Sequence, residues 1–402
     1  MAIDSERHAR IVSMLREENL DAVICCSPSE VLLLTGYWPI IGNSIAIFTS
    51  DGEVHILVPE DEHEIAVNSS IAVLTDFIPV SLQELPAAGK AIRKALTALC
   101  KQLSLSHATV GMESEQTLQP SSYVTTMRYR STLKTLLWEE FPNLEVVGAD
   151  AQLEILKATK TAVELEQMRL NAKVAEAGFL AAPGAILEGK REAEIAGSIH
   201  LAFEQSPVAE QIQRSYGYYY CMSGPNSAKA AAAFARTRHR KVQPEDLVMI
   251  HANTCGDGYW TDITRTFTMG EPTEKQAHMR GAIMEARQAA LDLIRPGVPA
   301  KQIDGAARSV LEKHGYSKEF KHGLGHGVGF AAANANAIPR IHPASPDVLE
   351  AGMTFNVEPA IYFDGYGGMR HCDVIAVTSN GVEVLTKFQT AQPQQESYQE
   401  IA

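Results

Sequence analysis

The second half of the chain repeats one order of elements, and this repeat limits the folds that it can adopt. Helical patterns cover residues 162–182 and 192–204 in the first copy, and residues 274–294 and 300–314 in the second. In each copy a Pro-Gly pair separates the two helices, and strand patterns follow the second helix. Each copy has an apolar face that it cannot bury alone, so we expect the two to pack as one domain with a pseudo-twofold arrangement of helices and sheet.

The N-terminal third has a different pattern, with shorter helices and strands in alternation. The sequence predicts an amphipathic helix over residues 6–18, strands over 21–26 and 144–147, and a hairpin with strands over 44–48 and 53–57. A chain of 402 residues also exceeds one ordinary core. We therefore predict an α/β (α+β) protein with two domains, residues 1–155 and residues 156–402.

Composition excludes several classes of partner. The formal net charge of -13 disfavours binding to nucleic acid or to an anionic membrane. The N-terminal segment MAIDSERHAR is polar, and no apolar run is long enough to cross a bilayer. The six cysteines form no CxxC pair and read as reduced thiols. We expect a cytoplasmic enzyme with a small-molecule or short-peptide substrate, and no nucleic-acid or membrane partner.

Two acidic residues stand where strands are predicted. The apolar run 247–250 predicts a strand that ends at His251, and the next strand carries Asp262, Thr264 and Thr266 on one face. Glu358 directly follows an apolar strand over residues 354–357. Carboxylates at the ends of buried strands are costly unless they are paired, hydrogen-bonded or bound to metal, so Asp262 and Glu358 indicate a functional site.

Four phrases in this half resemble one known superfamily. They are GDGYWTDITRTF at 256–267, HGLGHGVGF at 322–330, AGMTFNVEPAIY at 351–362 and GMRHCDVIAVTSNG at 368–381. In this order they resemble the pita-bread superfamily of methionine aminopeptidases, prolidases, Xaa-Pro aminopeptidases and creatinases. LLLTGYW at 32–38 is similar to the N-terminal domain of the creatinase and prolidase branch. The resemblance implies a pita-bread C-terminal domain, a smaller creatinase/prolidase-like N-terminal domain, and a homodimer.

The resemblance also implies five ligands that hold two divalent metal ions in the family's peptidases. They are two Asp residues eleven positions apart, the His of a Gly-His-Gly phrase, a Glu before Pro, and a Glu two positions after an Arg. Asp262, His326 and Glu358 match three of these ligands. His251 stands at the first Asp position and Cys372 at the last Glu position. Imidazole is neutral and thiolate is soft, so both replacements disfavour a pair of hard ions.

Two further family histidines are also replaced. Ala231 and Ala333 stand where the family's peptidases have proton-handling histidines, each within an alanine-rich segment. The loss of two side chains predicts a roomier and more apolar pocket, unless these segments are merely alanine-rich loops. We expect His322, Arg370, Ala231, Ala333 and Tyr259 to line the substrate pocket.

Four functions are compatible with this set of residues. We favour a hydrolase of an amide, amidine or peptide C–N bond in a small amino-acid-like substrate, acting without a cofactor, with His251, Asp262, His326, Glu358 and Cys372 as catalytic residues. A mononuclear iron, zinc or manganese enzyme is an alternative. In that case His251, Asp262, His326 and Glu358 supply the ligands. A metal-dependent Xaa-Pro aminopeptidase or prolidase and a non-catalytic binding protein are the other two.

Overall fold

The computed structural model describes residues 4–39, 44–79, 83, 86–114, 131–231, 237–331 and 337–393. These residues form two compact units that divide between Lys157 and Ala158. The predicted boundary lies two residues earlier. The α/β architecture with two domains that the sequence predicts is confirmed.

The N-terminal unit is built on a six-stranded sheet with helices between the strands. Its helices are α1 (Ser5–Glu17), α2 (Pro28–Thr35), α3 (His63–Ser69), α4 (Ala88–Gln102), α5 (Ser131–Glu140) and α6 (Asp150–Ala158). Its strands are β1 (Ala22–Cys25), β2 (Ile45–Thr49), β3 (Val54–Pro59), β4 (Val73–Phe77), β5 (Thr109–Met112) and β6 (Glu145–Gly148), in the order β4-β3-β2-β1-β5-β6. The predicted hairpin is the antiparallel pair β2 and β3. Gly52 takes a φ of 96° in its turn, a conformation that favours glycine.

The second unit contains the predicted repeat of two helices and a sheet. Its helices are α7 (Ala162–Ala185), α8 (Glu192–Glu204), α9 (Glu274–Leu291) and α10 (Ala300–Lys313). Its strands are β7 (Ser215–Ser223), β8 (Leu247–Gly256), β9 (Tyr259–Thr268), β10 (Thr354–Val357), β11 (Ala360–Phe363), β12 (Gly367–Arg370), β13 (Asp373–Val377) and β14 (Val382–Val384). They form the sheets β7-β8-β9, β10-β13-β14 and β11-β12. Isolated bridges Thr264↔Cys372 and Gly327↔Phe355 connect segments that carry site residues.

Both long helices of the repeat begin with the same local device. Thr161 caps α7 and Thr273 caps α9, and each threonine forms a capping box with the residue three positions later, Glu164 or Gln276. The end of α7 differs from the prediction, because the helix continues through Pro183 to Ala185. Pro183 lies in the last turn, where the missing N–H removes a single hydrogen bond at the helix end.

Strand β8 is longer than the sequence predicts. The predicted strand ends at His251, whereas β8 runs ten residues to Gly256, with every residue buried. His251 therefore lies in the middle of a central strand, paired with Tyr220 of β7 and Thr264 of β9. The apolar pattern stops early because polar side chains of β8 form hydrogen bonds within the sheet face.

The core of this unit lies between helices α9 and α10 and the strands that follow them. Met279, Ile283, Ile303, Phe355 and Ile361 belong to one buried cluster. This packing fixes β10 and β11, between which Glu358 is placed. Among the helices of the described ranges, none is long and apolar enough to cross a membrane.

Candidate functional site

Several of the predicted site residues meet on one face of the β7-β8-β9 sheet. Side chains directly opposite each other on neighbouring strands share a face. Three cross-strand sets share this one: Tyr216, Cys255 and Trp260; Tyr218, Asn253 and Asp262; and Tyr220, His251 and Thr264. His251 and Asp262 are both buried. The register of three antiparallel strands therefore brings together side chains that are far apart in the sequence.

His251 is held as a neutral imidazole with both ring nitrogens in hydrogen bonds. Arg370 Nη2 donates to Nδ1 at 2.9 Å, so Nδ1 carries the lone pair. Nε2–H then donates to Asn253 Oδ1 at 3.1 Å. Burial lowers the pKa of His251 to about 4; Asp262 opposes this shift and the charge of Arg370 adds to it. At neutral pH this ring bears no charge.

Arg370 supplies a buried permanent positive charge to the site. Its Nη1 lies 3.6 Å from Glu358 Oε2, and its Nε donates to Thr264 Oγ1 at 3.0 Å. Burial raises the pKa of Glu358 to about 8, although Arg370 acts to lower it. The guanidinium thus connects the β8-β9 sheet with the segment between β10 and β11.

His326 faces Asp262 from the glycine-rich segment. Its Nδ1–H donates to the Gly327 carbonyl at 3.1 Å, which leaves the lone pair on Nε2. Nε2 lies 3.7 Å from Asp262 Oδ2 and 3.3 Å from the amide nitrogen of Asn356. Glycine precedes His326 because a Cβ at Gly325 would stand 1.8 Å from the Asn356 carbonyl oxygen. This close approach fixes the position of the imidazole.

Cys372 is fully buried beside Asp262. Its Sγ lies 3.9 Å from Asp262 Oδ1 and donates to the Asp262 carbonyl at 3.2 Å. Burial, with Asp262 and Glu358, raises the pKa of the Cys372 thiol well above its usual range. The thiol is therefore protonated at neutral pH, and a protonated thiol is a poor nucleophile.

His322 supports Arg370 through a tyrosine. Its Nδ1–H donates to the Gly323 carbonyl at 2.7 Å, and its Nε2 accepts from the Tyr362 hydroxyl at 3.1 Å. Tyr362 in turn accepts a hydrogen bond from Arg370. Burial lowers the pKa of His322 to about 4. His322 is thus neutral and reaches Arg370 through one intervening side chain.

The other predicted pocket residues have different surroundings. Tyr259 is buried, its ring 5.4 Å from that of Phe330, and its carbonyl accepts from Asn171. Ala231 is partly buried against the core of the unit. Ala333 lies outside the residues that the structure describes. The roomier pocket stays a prediction.

Sequence reasoning missed three polar partners in this site, Asn253, Asn356 and Tyr362. Asn253 follows His251 by two positions and Asn356 precedes Glu358 by two, so period-two alternation along the strands was the available signal. Each holds a histidine in a defined orientation, and such support is common around functional imidazoles.

Comparisons with known proteins identify the class. Residues 166–379 match the model of metallopeptidase family M24, and residues 7–157 match the creatinase/prolidase N-terminal domain. The chain belongs to metallopeptidase family M24, in its creatinase and prolidase branch. It is a hydrolase that acts on C–N bonds.

Individual relatives agree with this assignment over nearly the whole chain. The chain is 28% identical to an Xaa-Pro dipeptidase of Pyrococcus horikoshii over 96% of this chain and 98% of the relative. The solved prolidase of P. horikoshii covers 96% of this chain and 99% of its own, with a TM-score of 0.77 and 26% identity. The prolidase from Pyrococcus furiosus covers 94% and 99%, with a TM-score of 0.74 and 28% identity.

Family membership overturns one expectation. The prediction that the site acts without a cofactor is wrong, because the chain belongs to a family of metallopeptidases and its relatives include prolidases. Within the described ranges, the side chains as they stand bring together no group of three or more His, Cys, Asp or Glu that could hold a metal ion. The kind of metal site that these residues suit must therefore be judged from their individual chemistry.

Proposed function

We propose that this hydrolase cleaves the peptide bond of dipeptide-sized substrates at a site that holds one divalent metal ion instead of two. The relatives named as Xaa-Pro dipeptidases support the substrate size. The composition of the site supports the number of ions.

The balance of charge is the observation that carries the proposal. The five-ligand set of the family's peptidases has four carboxylates, which neutralise two divalent ions. This chain keeps only Asp262 and Glu358 at those positions, because His251 and Cys372 replace the other two carboxylates. Two carboxylates neutralise at most one divalent ion, and a second ion in a buried site that also holds the charge of Arg370 would be uncompensated.

The donor atoms fit a paired centre poorly. Both nitrogens of His251 form hydrogen bonds, one of them to a guanidinium that is always charged. The Cys372 thiol donates to the Asp262 carbonyl, and a sulfur ligand is softer than the carboxylate oxygens that hard ions prefer. Neither side chain therefore supplies the negatively charged oxygens with which the missing carboxylates would bind two ions.

Two of the remaining donors have a spacing that suits a single ion. Asp262 Oδ2 and His326 Nε2 lie 3.7 Å apart, and Nε2 carries the lone pair of this imidazole, which accepts from the neutral amide of Asn356 at 3.3 Å. Two ligands of one tetrahedral ion, with bonds of about 2.1 Å, stand roughly 3.4 Å apart. Glu358 is the third ligand that the family pattern keeps, and we assign the ion to Asp262, His326 and Glu358.

The chain's own residues prepare the site for hydrolysis. A bound ion would polarise the scissile carbonyl and lower the pKa of a water molecule. Arg370 holds Glu358 in place and adds positive charge near the developing negative charge of the substrate. His251 and Thr264 fix the guanidinium, so we assign them as positioning residues.

A substrate panel tests this function. Purified enzyme with added Mn²⁺, Zn²⁺ or Fe²⁺ should hydrolyse Xaa-Pro or other dipeptides, and Asp262→Asn should remove that activity. Matched tripeptides and creatine serve as comparison substrates. Hydrolysis of creatine with no dipeptide cleavage under any metal would contradict the proposal.

A further inference from the structure

A row of aromatic rings lies beside the site on β7. Tyr216, Tyr218 and Tyr220 alternate along the strand, so their side chains share one face, whereas Tyr219 points into the core. The row becomes more exposed outward, from the partly buried Tyr220 and Tyr218 to Tyr216, which is 42% exposed. β7 is an edge strand of its sheet.

The row is continuous with the residues assigned to catalysis. The rings of Tyr220 and His251 are nearly parallel, with centroids 6.1 Å apart, and those of Tyr218 and Tyr220 are 5.9 Å apart at the same 15° angle. Tyr218, Asn253 and Asp262 form one of the cross-strand sets described above. Neighbouring strands are about 4.8 Å apart, so the Cα atoms of Tyr218 and Asp262 lie roughly 10 Å apart across the sheet. A dipeptide whose scissile bond lies at Asp262 has a side chain that spans a distance of this order.

The outer end of the row has the shape of a corner. The ring of Tyr216 stands at 79° to that of Tyr218 and at 90° to that of Trp260. Rings at these angles offer both a face and an edge, the two surfaces with which aromatic groups pair favourably. These three rings pack on one another, the Tyr216 and Tyr218 hydroxyls are in contact, and Tyr216 keeps exposed ring surface on which a neutral flat ring can pack.

The positive charge near the row favours an aromatic ligand over a cationic one. Tyrosine faces also attract cations. Arg370, however, places a permanent positive charge 2.9 Å from the His251 ring on which Tyr220 lies, and a metal ion at Asp262 would add more. At the Tyr220 end of the row this positive charge disfavours a cationic side chain more than an uncharged ring.

We propose that Tyr216, Tyr218 and Tyr220 form a subsite for an aromatic side chain of the substrate. This inference rests on the proposed function for the identity of the substrate as a dipeptide. It makes the enzyme selective for Phe, Tyr or Trp over aliphatic or basic residues of similar size. The tyrosines act here through their rings, not through their hydroxyl groups.

Binding measured without turnover tests the subsite. In His326→Ala protein, dissociation constants are determined by calorimetry for Phe-Gly, Leu-Gly and Lys-Gly and for the reversed series Gly-Phe, Gly-Leu and Gly-Lys. In the series that places the varied side chain in the subsite, we expect the Phe dipeptide to bind about tenfold more tightly than its Leu and Lys counterparts. Added Tyr216→Leu or Tyr218→Leu should reduce this preference to about threefold or less, while Tyr216→Phe and Tyr218→Phe should keep it.

The possible outcomes separate the two proposals. Equal binding of Phe and Leu dipeptides in both series, tightest binding of a Lys dipeptide, or a preference that survives both leucine variants would overturn the aromatic subsite. Circular dichroism of each variant checks that it is folded. Preferential binding of Phe dipeptides, with no dipeptide cleaved by the unmodified enzyme, would uphold the subsite and overturn the proposed function.

Discussion

His326 lies between the glycine-rich segment and Asp262, with its Nδ1–H bonded to the Gly327 carbonyl and its Nε2 3.7 Å from Asp262 Oδ2. We predict that His326→Ala lowers kcat/KM on the preferred dipeptide by at least about a hundredfold, because an assigned ligand is lost. Thermal unfolding should change little, since the side chain is not in the apolar core. His200→Ala, at a half-exposed histidine of α8, is the matched control and should leave kcat/KM unchanged.

Cys372 lies in the same site, but its replacement should affect catalysis much less than the loss of His326. Cys372→Ser should retain kcat within about threefold, because serine keeps the donor to the Asp262 carbonyl and the buried thiol is protonated. Steady-state kinetics decide this directly. A hundredfold loss in a folded variant would make the thiol catalytic.

The sequence predicted some of the site and missed its supporting bonds. Asp262, His326 and Glu358 were predictable because each lies in a phrase typical of the family. The hydrogen bond from Arg370 to His251 was not, since it joins residues 119 positions apart through the sheet register. The roles assigned to all of these residues stay predictions.

Among the elements, strand β13 is fixed by a buried carboxylate. Asp373 accepts from Arg265 Nη2 at 2.6 Å and from Arg287 Nε at 2.6 Å, which ties β13 to β9 and α9. Asp373→Asn should cost about 3 to 5 kcal/mol of the free energy of unfolding, because two cations lose their partner. Urea denaturation at pH 7 measures this. Asp364→Asn removes an exposed carboxylate 3.5 Å from Lys321 and should cost less than about 1 kcal/mol.

The same carboxylate gives stability a defined pH dependence. Burial acts to raise the pKa of Asp373, but Arg265, His371 and Arg287 outweigh it and hold the pKa well below its usual range. The group therefore stabilises the fold above an unfolded pKa of about 3.9, and this contribution is lost as pH falls further. The stability difference between wild type and Asp373→Asn should shrink as pH falls below about 4. A difference that grows in acid would contradict this assignment.

Element boundaries show where local pattern is sufficient. Helix α8 has the predicted bounds, Glu192–Glu204, because the local sequence marks both ends. The strand at His251 was predicted too short, since β8 continues through polar residues that are satisfied only by neighbouring strands. Patterns within one segment cannot report bonds that another segment supplies.

For the whole molecule, the repeated helix pairs and the four phrases together were sufficient to predict the fold class and the family.

The homodimer stays a prediction. Light scattering should give a mass of about twice the 43.8 kDa of one chain. A monomer at micromolar concentration would contradict it.

The number of metal ions bound per chain distinguishes a one-ion site from the two-ion site of the family's peptidases. Elemental analysis of the purified protein, equilibrated with excess divalent metal and then desalted, should give about one ion per chain. His251→Asp combined with Cys372→Glu, which restores four carboxylates, should raise this value toward two. Two ions per chain in the unmodified protein would contradict the account.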